Sequence, residues 1–231
     1  MKRFYTDVST AENENGWQVL LDNRPIKTQK GAAQVVPSAA TAALLAGEWS
    51  AQGEKIDLSS FVFRDLADFA IDIVRPQRDA AIGKLLSYAE TDTLCYRADP
   101  GDALYQRQEK LWEPLVVACE TRHAIRIQRV SGIIHCQQSE ATLAALRERL
   151  ATEDEFTLAA LTTFASIAAS LMVALAMLEH GADVQGLFDA ANAEEDWQAE
   201  LWGVDAEAEK VRAARLDAFV RAAEFQRALA G

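Results

Sequence analysis

Between Ala151 and Glu209 the chain has no lysine and no arginine, although the same stretch carries 13 aspartates and glutamates. The rest of the 231-residue chain holds 22 acids against 23 bases, so the net charge of -12 belongs to that one segment. Such a field repels nucleic acid and anionic membrane and attracts a basic surface on another protein. Cysteine is scarce as well. Cys95, Cys119 and Cys136 are odd in number, widely spaced and set in apolar sequence, which argues against a disulfide framework and predicts free buried thiols in a reducing compartment. The three histidines, His123, His135 and His180, are scattered, and no His or Cys pair has zinc-ligand spacing. No phosphate loop, nucleophile elbow or dinucleotide glycine fingerprint is present: Gly181 to Gly186 has a phosphate-loop spacing, but Leu187 stands where the lysine must be. Ser131 and His135 on an extended segment would sit about 13 Å apart, too far for a nucleophile and its base. The start, MKRFYTDVSTAENENGW, has neither an apolar leader core nor an Arg-rich, acid-poor presequence, so a cytoplasmic or an already processed chain is expected. No cofactor and no metal is expected.

Phe156 to Leu178 is a run of 23 residues without a charge, long enough to span a bilayer. It contains five Ser and Thr, and acids flank it with no basic or aromatic interfacial anchor, so it reads instead as a buried central helix and no stable membrane insertion is expected.

Half of the residues are apolar, which suits one large or two small domains with a proper core. The first forty residues read as short strands, Phe4 to Ser9, Gly16 to Asp22, Pro25 to Thr28 and Gln34 to Val36, with a turn at Asp22 to Pro25. Pro37 ends that unit and Ser38 caps a helix to about Gln52. From Ser59 the periodicity becomes helical. A helix from Ala103 to about His123 is interrupted or kinked at Pro114, Ser139 caps another, and a buried helix is expected from about Glu155 to His180. The last helix sets Val211, Ala214, Ala218, Ala222, Phe225 and Leu229 on one stripe. Ile125 to Cys136, which includes Ile133, reads as an extended excursion. The expectation is an α+β protein: a β-rich N-terminal domain with one helix over residues 1–60, then an α-helical domain over 61–231, with the segment near 124–136 packing on the N-terminal part.

The most distinctive stretch runs from Glu194 to Glu209, EEDWQAELWGVDAEAE, with seven carboxylates and two tryptophans. Asn192 is placed to cap a helix and Glu195 to close a capping box; Gly203 ends the helix and Asp205 caps the next. Trp197 and Leu201 share a core stripe, while Glu194, Gln198 and Trp202 form an i, i+4, i+8 row facing outward. The bland reading is a solvated helix; the sharper one is a partner surface with a Trp anchor. As an alternative, Glu194, Glu195, Asp205 and Glu207 could hold a hard cation for a metal-dependent hydrolase, and an acidic decoy for a nucleic-acid-binding protein is a third reading. Glu90 and Asp92 do not converge on a regular helix, so Asp92 is assigned to capping or to pairing with Arg97.

Several motifs together resemble the ATP synthase assembly chaperones that bind the α subunit of the catalytic head. They are Arg3 to Tyr5 (RFY), Leu21 to Thr28 (LDNRPIKT), Glu48 and Trp49 followed by Gln52, Ala70 to Asp72 (AID) and Tyr88 to Arg97 (YAETDTLCYR). Gln106 to Leu115 (QRQEKLWEPL), Ser131 to Ile133 (SGI) and Glu195, Gln198, Trp202 and Gly203 complete the series. The chain departs from the family's usual Thr-Pro at Thr28 and Gln29, and from its Met-Pro at Phe61 and Val62. The resemblance implies a non-enzymatic chaperone, monomeric when free, that shields the β-facing surface of the α subunit until α and β assemble. Its location would be the cytoplasm in bacteria and the mitochondrial matrix in eukaryotic members. It points to Glu195, Gln198 and Trp202 as client contacts, to which the acidic stretch adds Glu194 and Asp205, and to Trp49, Asp92 and Gln108 as structural or contact residues.

Overall fold

The computed structural model describes residues 1–132 and 135–230. Its elements are β1 (Val8–Asn13), β2 (Gly16–Leu21), β3 (Arg24–Pro25), α1 (Ala39–Ser50), α2 (Val62–Phe69), a π-helical turn (Ala70–Val74), α3 (Arg78–Glu90) and β4 (Tyr96–Arg97). They continue with α4 (Ala103–His123), β5 (Val130–Ser131), α5 (Glu140–Ala151), α6 (Glu155–Ala168), α7 (Leu171–Ala176), α8 (Val184–Ala191), α9 (Ala193–Trp202) and α10 (Ala206–Leu229). A small antiparallel sheet thus precedes a mostly helical remainder, as the sequence predicts.

Two compact units result, and they do not divide at residue 60. The first takes Met1–Arg78, Asp154–Ala160 and the residues from Arg221 onward; the second takes Asp79–Glu153 and Leu161–Val220. Side-chain capping explains why residues 61–78 stay with the strands. Glu48 near the end of α1 accepts the amides of Val62 and Phe63 at 2.7 Å and Arg64 at 2.9 Å, closing the N-terminus of α2. Asp68 and Asp72 accept the amides of Gln29 and Lys30 at 3.0 and 3.1 Å, which fastens the loop after β3 to α2 and the π-turn.

In the first unit β1 and β2 form a hairpin in which Val8 faces Leu21, and β3 adds a third strand with Leu21 facing Arg24. Asp22 and Asn23 both take positive φ, the geometry of a two-residue hairpin turn. The Asp22 carboxylate accepts the amides of Thr6 and Asp7, so residues 4–7 stay outside the ladder and the first strand begins at Val8 rather than Phe4. Gly16 is required where it stands: its φ is +133°, and a Cβ there would meet the Val36 carbonyl at 2.5 Å, where Trp17 and Val36 exchange backbone hydrogen bonds.

The second unit is built around α4, which packs against α5, α7 and α9. Trp112 is fully buried and donates to the Ala190 carbonyl at 2.7 Å. α4 continues through Pro114. The expected continuous helix from Glu155 to His180 is instead two, because Ala169 turns to a φ of +47° and Ser170 caps α7. Residues around Asp92 fill that break: the Ala169 carbonyl accepts Thr93 at 3.0 Å and Asp92 accepts the Met172 amide at 3.0 Å. The extended segment also departs from expectation. β5 pairs in parallel with β4, Tyr96 facing Val130, and not with the N-terminal strands. Charge pairing fixes it there, since Arg97 bonds Glu109 and Glu113 while Arg129 bonds Glu113 and Glu120. Ile133 lies outside the described residues.

Candidate partner-binding site

The expected bounds of α9 hold, but its start is made differently. The Asn192 side chain donates back to the Phe188 carbonyl at 2.7 Å and caps nothing, so the capping box with Glu195 is not formed. Three acids in the first turn, Glu194, Glu195 and Asp196, favour the helix N-terminus instead. At the other end Gly203, with φ of +91°, stops the helix, and Asp205 receives the Glu207 and Ala208 amides at 3.4 and 3.3 Å to open α10.

Guanidinium groups hold the inner side of α9. Arg215 bonds both oxygens of Glu195 at 3.0 Å, and Arg212 bonds both of Asp196 while reaching Asp189 at 2.8 Å. From α4, Arg107 bonds Glu200 at 2.6 Å and lies 5.8 Å from the ring of Trp197. Gln108 is fully buried; its carbonyl accepts the Ala98 amide at 2.8 Å and its amide donates to Glu194 at 2.6 Å. Burial pushes the Glu194 carboxyl up, partly offset by that amide, whereas the hydrogen bond from Arg107 holds Glu200 low.

This arrangement corrects the predicted stripe. Trp197 is half-buried, but Leu201 is 56% exposed, because the inner face of α9 meets long cations rather than an apolar layer and nothing covers its last turn. In the same way Val211 at the start of α10 is 52% exposed, and the buried stripe begins only at Phe219. Of the expected outward row, Gln198 and Trp202 face solvent, Trp202 77% exposed, while Glu194, though exposed overall, turns a carboxylate oxygen to Gln108 of α4. Trp202 and Val204 line a cleft of about 420 Å³ at the α9–α10 junction, with Glu195, Gln198, Asp205 and Glu209 also in its wall; Leu201 and Val211 are further exposed apolar residues of the same two helices. Exposed aromatic and aliphatic side chains with a solvated polar rim are a composition that protein interfaces use.

The remaining candidates are interior. Trp49 packs between Tyr5 and Phe61, at ring distances of 5.6 and 4.6 Å. Asp92 is buried and receives the amides of Leu94 and Met172; Arg97, proposed as its partner, pairs with glutamates of α4 instead. Burial raises the Asp92 carboxyl to about 6. Sequence reasoning missed Arg107, Arg212 and Arg215, whose spacing on α4 and α10 was legible but whose acidic partners were not. Among the described residues no group of three or more His, Cys, Asp or Glu could hold a metal ion. Nor is any helix there long and apolar enough to cross a membrane.

Comparison with known proteins gives the class, an assembly chaperone. Residues 2–120 match the family model described as ATP12 chaperone protein. The chain is 23% identical over 218 residues to mitochondrial Protein atp12 of Schizosaccharomyces pombe, covering 87% of this chain and 74% of that protein. It superposes on the crystal structure of Atp12 from Paracoccus denitrificans with a TM-score of 0.93 and 35% identity, covering 99% of this chain and 98% of the other; a point mutant of that protein gives the same score. The chain belongs to the ATP12 chaperone family, which serves ATP synthase assembly, and its role is that of a chaperone and not an enzyme.

Proposed function

We propose that this chain binds the α subunit of the ATP synthase catalytic head and covers its β-facing surface until the β subunit takes its place. Trp202 carries the proposal: a tryptophan 77% open to solvent, among further exposed apolar residues and beside carboxylates, fits an anchor that becomes buried in a complex. Glu194, Glu195, Gln198 and Asp205 are the polar contacts around it. Pairing with Arg215 and Arg212 keeps Glu195 and Asp196 in place before the client arrives, which reduces the ordering cost of binding. No nucleotide is needed for release, because the larger final α/β interface outcompetes the chaperone. A cytoplasmic or matrix location, where the synthase head is built, goes with that role. The metal-hydrolase alternative loses support from ion pairing, since two of its four acids are already taken, Glu195 by Arg215 and Glu207 by Lys210.

Size-exclusion chromatography with purified α subunit tests the proposal. A one-to-one complex is expected, and it should dissolve when β is added. Folded α that elutes separately at micromolar concentration would overturn it.

A further inference from the structure

A second surface, in the first compact unit, has the opposite character. Residues 1–7 are fastened along their length: Arg3 donates its amide to the Glu54 carbonyl at 2.9 Å, the Met1 carbonyl accepts Ile56 at 2.9 Å, and Thr6 and Asp7 are held by Asp22. Phe4 is nevertheless 61% exposed, so its exposure is a feature of an ordered backbone and not of a frayed end. It is the outer ring of an edge-to-face series, Phe4, Tyr5 and Trp49, with successive centroids 5.3 and 5.6 Å apart. Beside it lies a cleft of about 480 Å³ whose wall includes Leu21, Pro25, Ile26 and Trp49 and the two exposed cations Arg24 and Lys27. That volume lies within the range of pockets that take a ligand group.

Trp49, a wall residue, is only 9% exposed, and its indole N–H is buried with no acceptor among the described residues. An unmet buried donor is costly, and an oxygen that reached it on binding would relieve it. The Asp22 carboxylate also lines the cleft; the amides of Asp7 and Thr6, with Arg24 and Arg3, keep it ionised, so it offsets one of the two wall cations and leaves the wall with a net positive charge.

We infer that the Phe4–Trp49 cleft is a docking site for an acidic, apolar peptide segment of a partner protein, whose side chain packs on Phe4 and Ile26, whose main-chain carbonyl reaches Trp49, and whose carboxylate meets Arg24 and Lys27. A peptide suits the site because it brings a carbonyl acceptor with every residue, and an exposed aromatic is the usual anchor of a protein contact. Charge complementarity selects an acidic one. The site is distinct from the α9–α10 tip and takes a segment of opposite charge, so it stands whether or not the tip binds the α subunit.

The test is nitrogen-15 NMR of the full chain, with the Trp49 indole resonance identified by its disappearance in Trp49→Phe. The probe is the capped hexapeptide Gly-Asp-Leu-Phe-Glu-Gly, titrated to about 2 mM, a range that reads affinities down to roughly the millimolar class. Its lysine-for-acid counterpart is the control. The acidic peptide should shift the Trp49 indole N–H and the amides of residues 4–5 and 21–27, and the lysine peptide should not. The exposed double variant Arg24→Glu/Lys27→Glu, with an otherwise superimposable spectrum, should bind at least tenfold more weakly, as should Phe4→Ala. Absence of any shift, an equal response to the lysine peptide, an unchanged affinity in the double variant, or shifts confined to residues 194–211 would each overturn the inference.

Discussion

Trp202→Ala separates the two things a tryptophan can do. A Trp side chain covers about 150–250 Å² when buried. With 77% of Trp202 open in the free protein, on the order of 120–190 Å² remains for a partner to cover. At about 25 cal/mol per Å² that is worth roughly 3–5 kcal/mol, and fixing the side chain takes back about 0.5–1.5 kcal/mol. The net, about 2–4 kcal/mol, corresponds to a loss of affinity between about 30-fold and several hundred-fold. Stability should hardly move, within about 0.5 kcal/mol, since the ring contributes little to the core. Titration calorimetry against purified α subunit reads the first quantity and urea unfolding the second. An unchanged Kd would remove Trp202 from the interface. Destabilisation of more than about 1 kcal/mol would refute the premise that the ring is unpacked in the free state.

Ionic strength tests the charge around that anchor: four of the seven carboxylates between 194 and 209 have cationic partners, so raising salt from about 0.01 to 0.5 M should slow association with α about tenfold and not a thousandfold, by stopped-flow mixing. A salt-independent rate would show that steering plays no part. Asp92 has a pH signature. Burial raises its carboxyl to about 6, against about 3.9 in the unfolded chain, so between those values the folded protein holds a proton that the unfolded chain has released. Its contribution is full below about pH 4 and lost as pH rises through 6, by on the order of 3 kcal/mol. Asp92→Asn should therefore gain on the wild type by about that much between pH 4 and 7 in urea unfolding; a constant difference would contradict the raised value. Trp112→Phe removes the bond to the Ala190 carbonyl from a sealed site, and calorimetry should find Tm lowered by about 3–10 °C, the equivalent of about 1–3 kcal/mol. A shift under about 1 °C would mean that the carbonyl finds another donor.

The fold was most legible where one residue type does one local job. Ser38, Ser139 and Asp205 cap the helices that their sequence positions predict, and Asp22 makes the predicted turn. Long-range capping was not legible. Glu48 sits in a helix end yet satisfies the first turn of α2, and Asp92 satisfies the first turn of α7 from 80 residues away. Neither pairing leaves a mark in local periodicity. That is also why the break at Ala169 was missed: the run around it is uniformly apolar, Ala169 is neither Gly nor Pro, and its left-handed conformation is held by Thr93 through Thr93 N and Oγ1.

The acidic stretch shows the same limit from the side of charge. A count along the chain makes 194–209 a uniform negative field, but the field is a property of three dimensions. Arg107 comes from α4, and Arg212 and Arg215 follow within the first three turns of α10, so Glu195, Asp196 and Glu200 are held by cations from other helices. The carboxylates without an ion pair among the described residues are fewer, Glu194, Asp205 and Glu209, and of these Asp205 and Glu209 share the cleft of Trp202, as does Glu195, which Arg215 holds in place. The stripe rule failed at Leu201 for the same reason, since an apolar stripe predicts burial only when an apolar layer faces it. Under the proposed function these errors in the predicted core have a reason: the apolar residues that the helix pattern assigns to the interior, Leu201 and Val211, are left open on the two helices that carry Trp202.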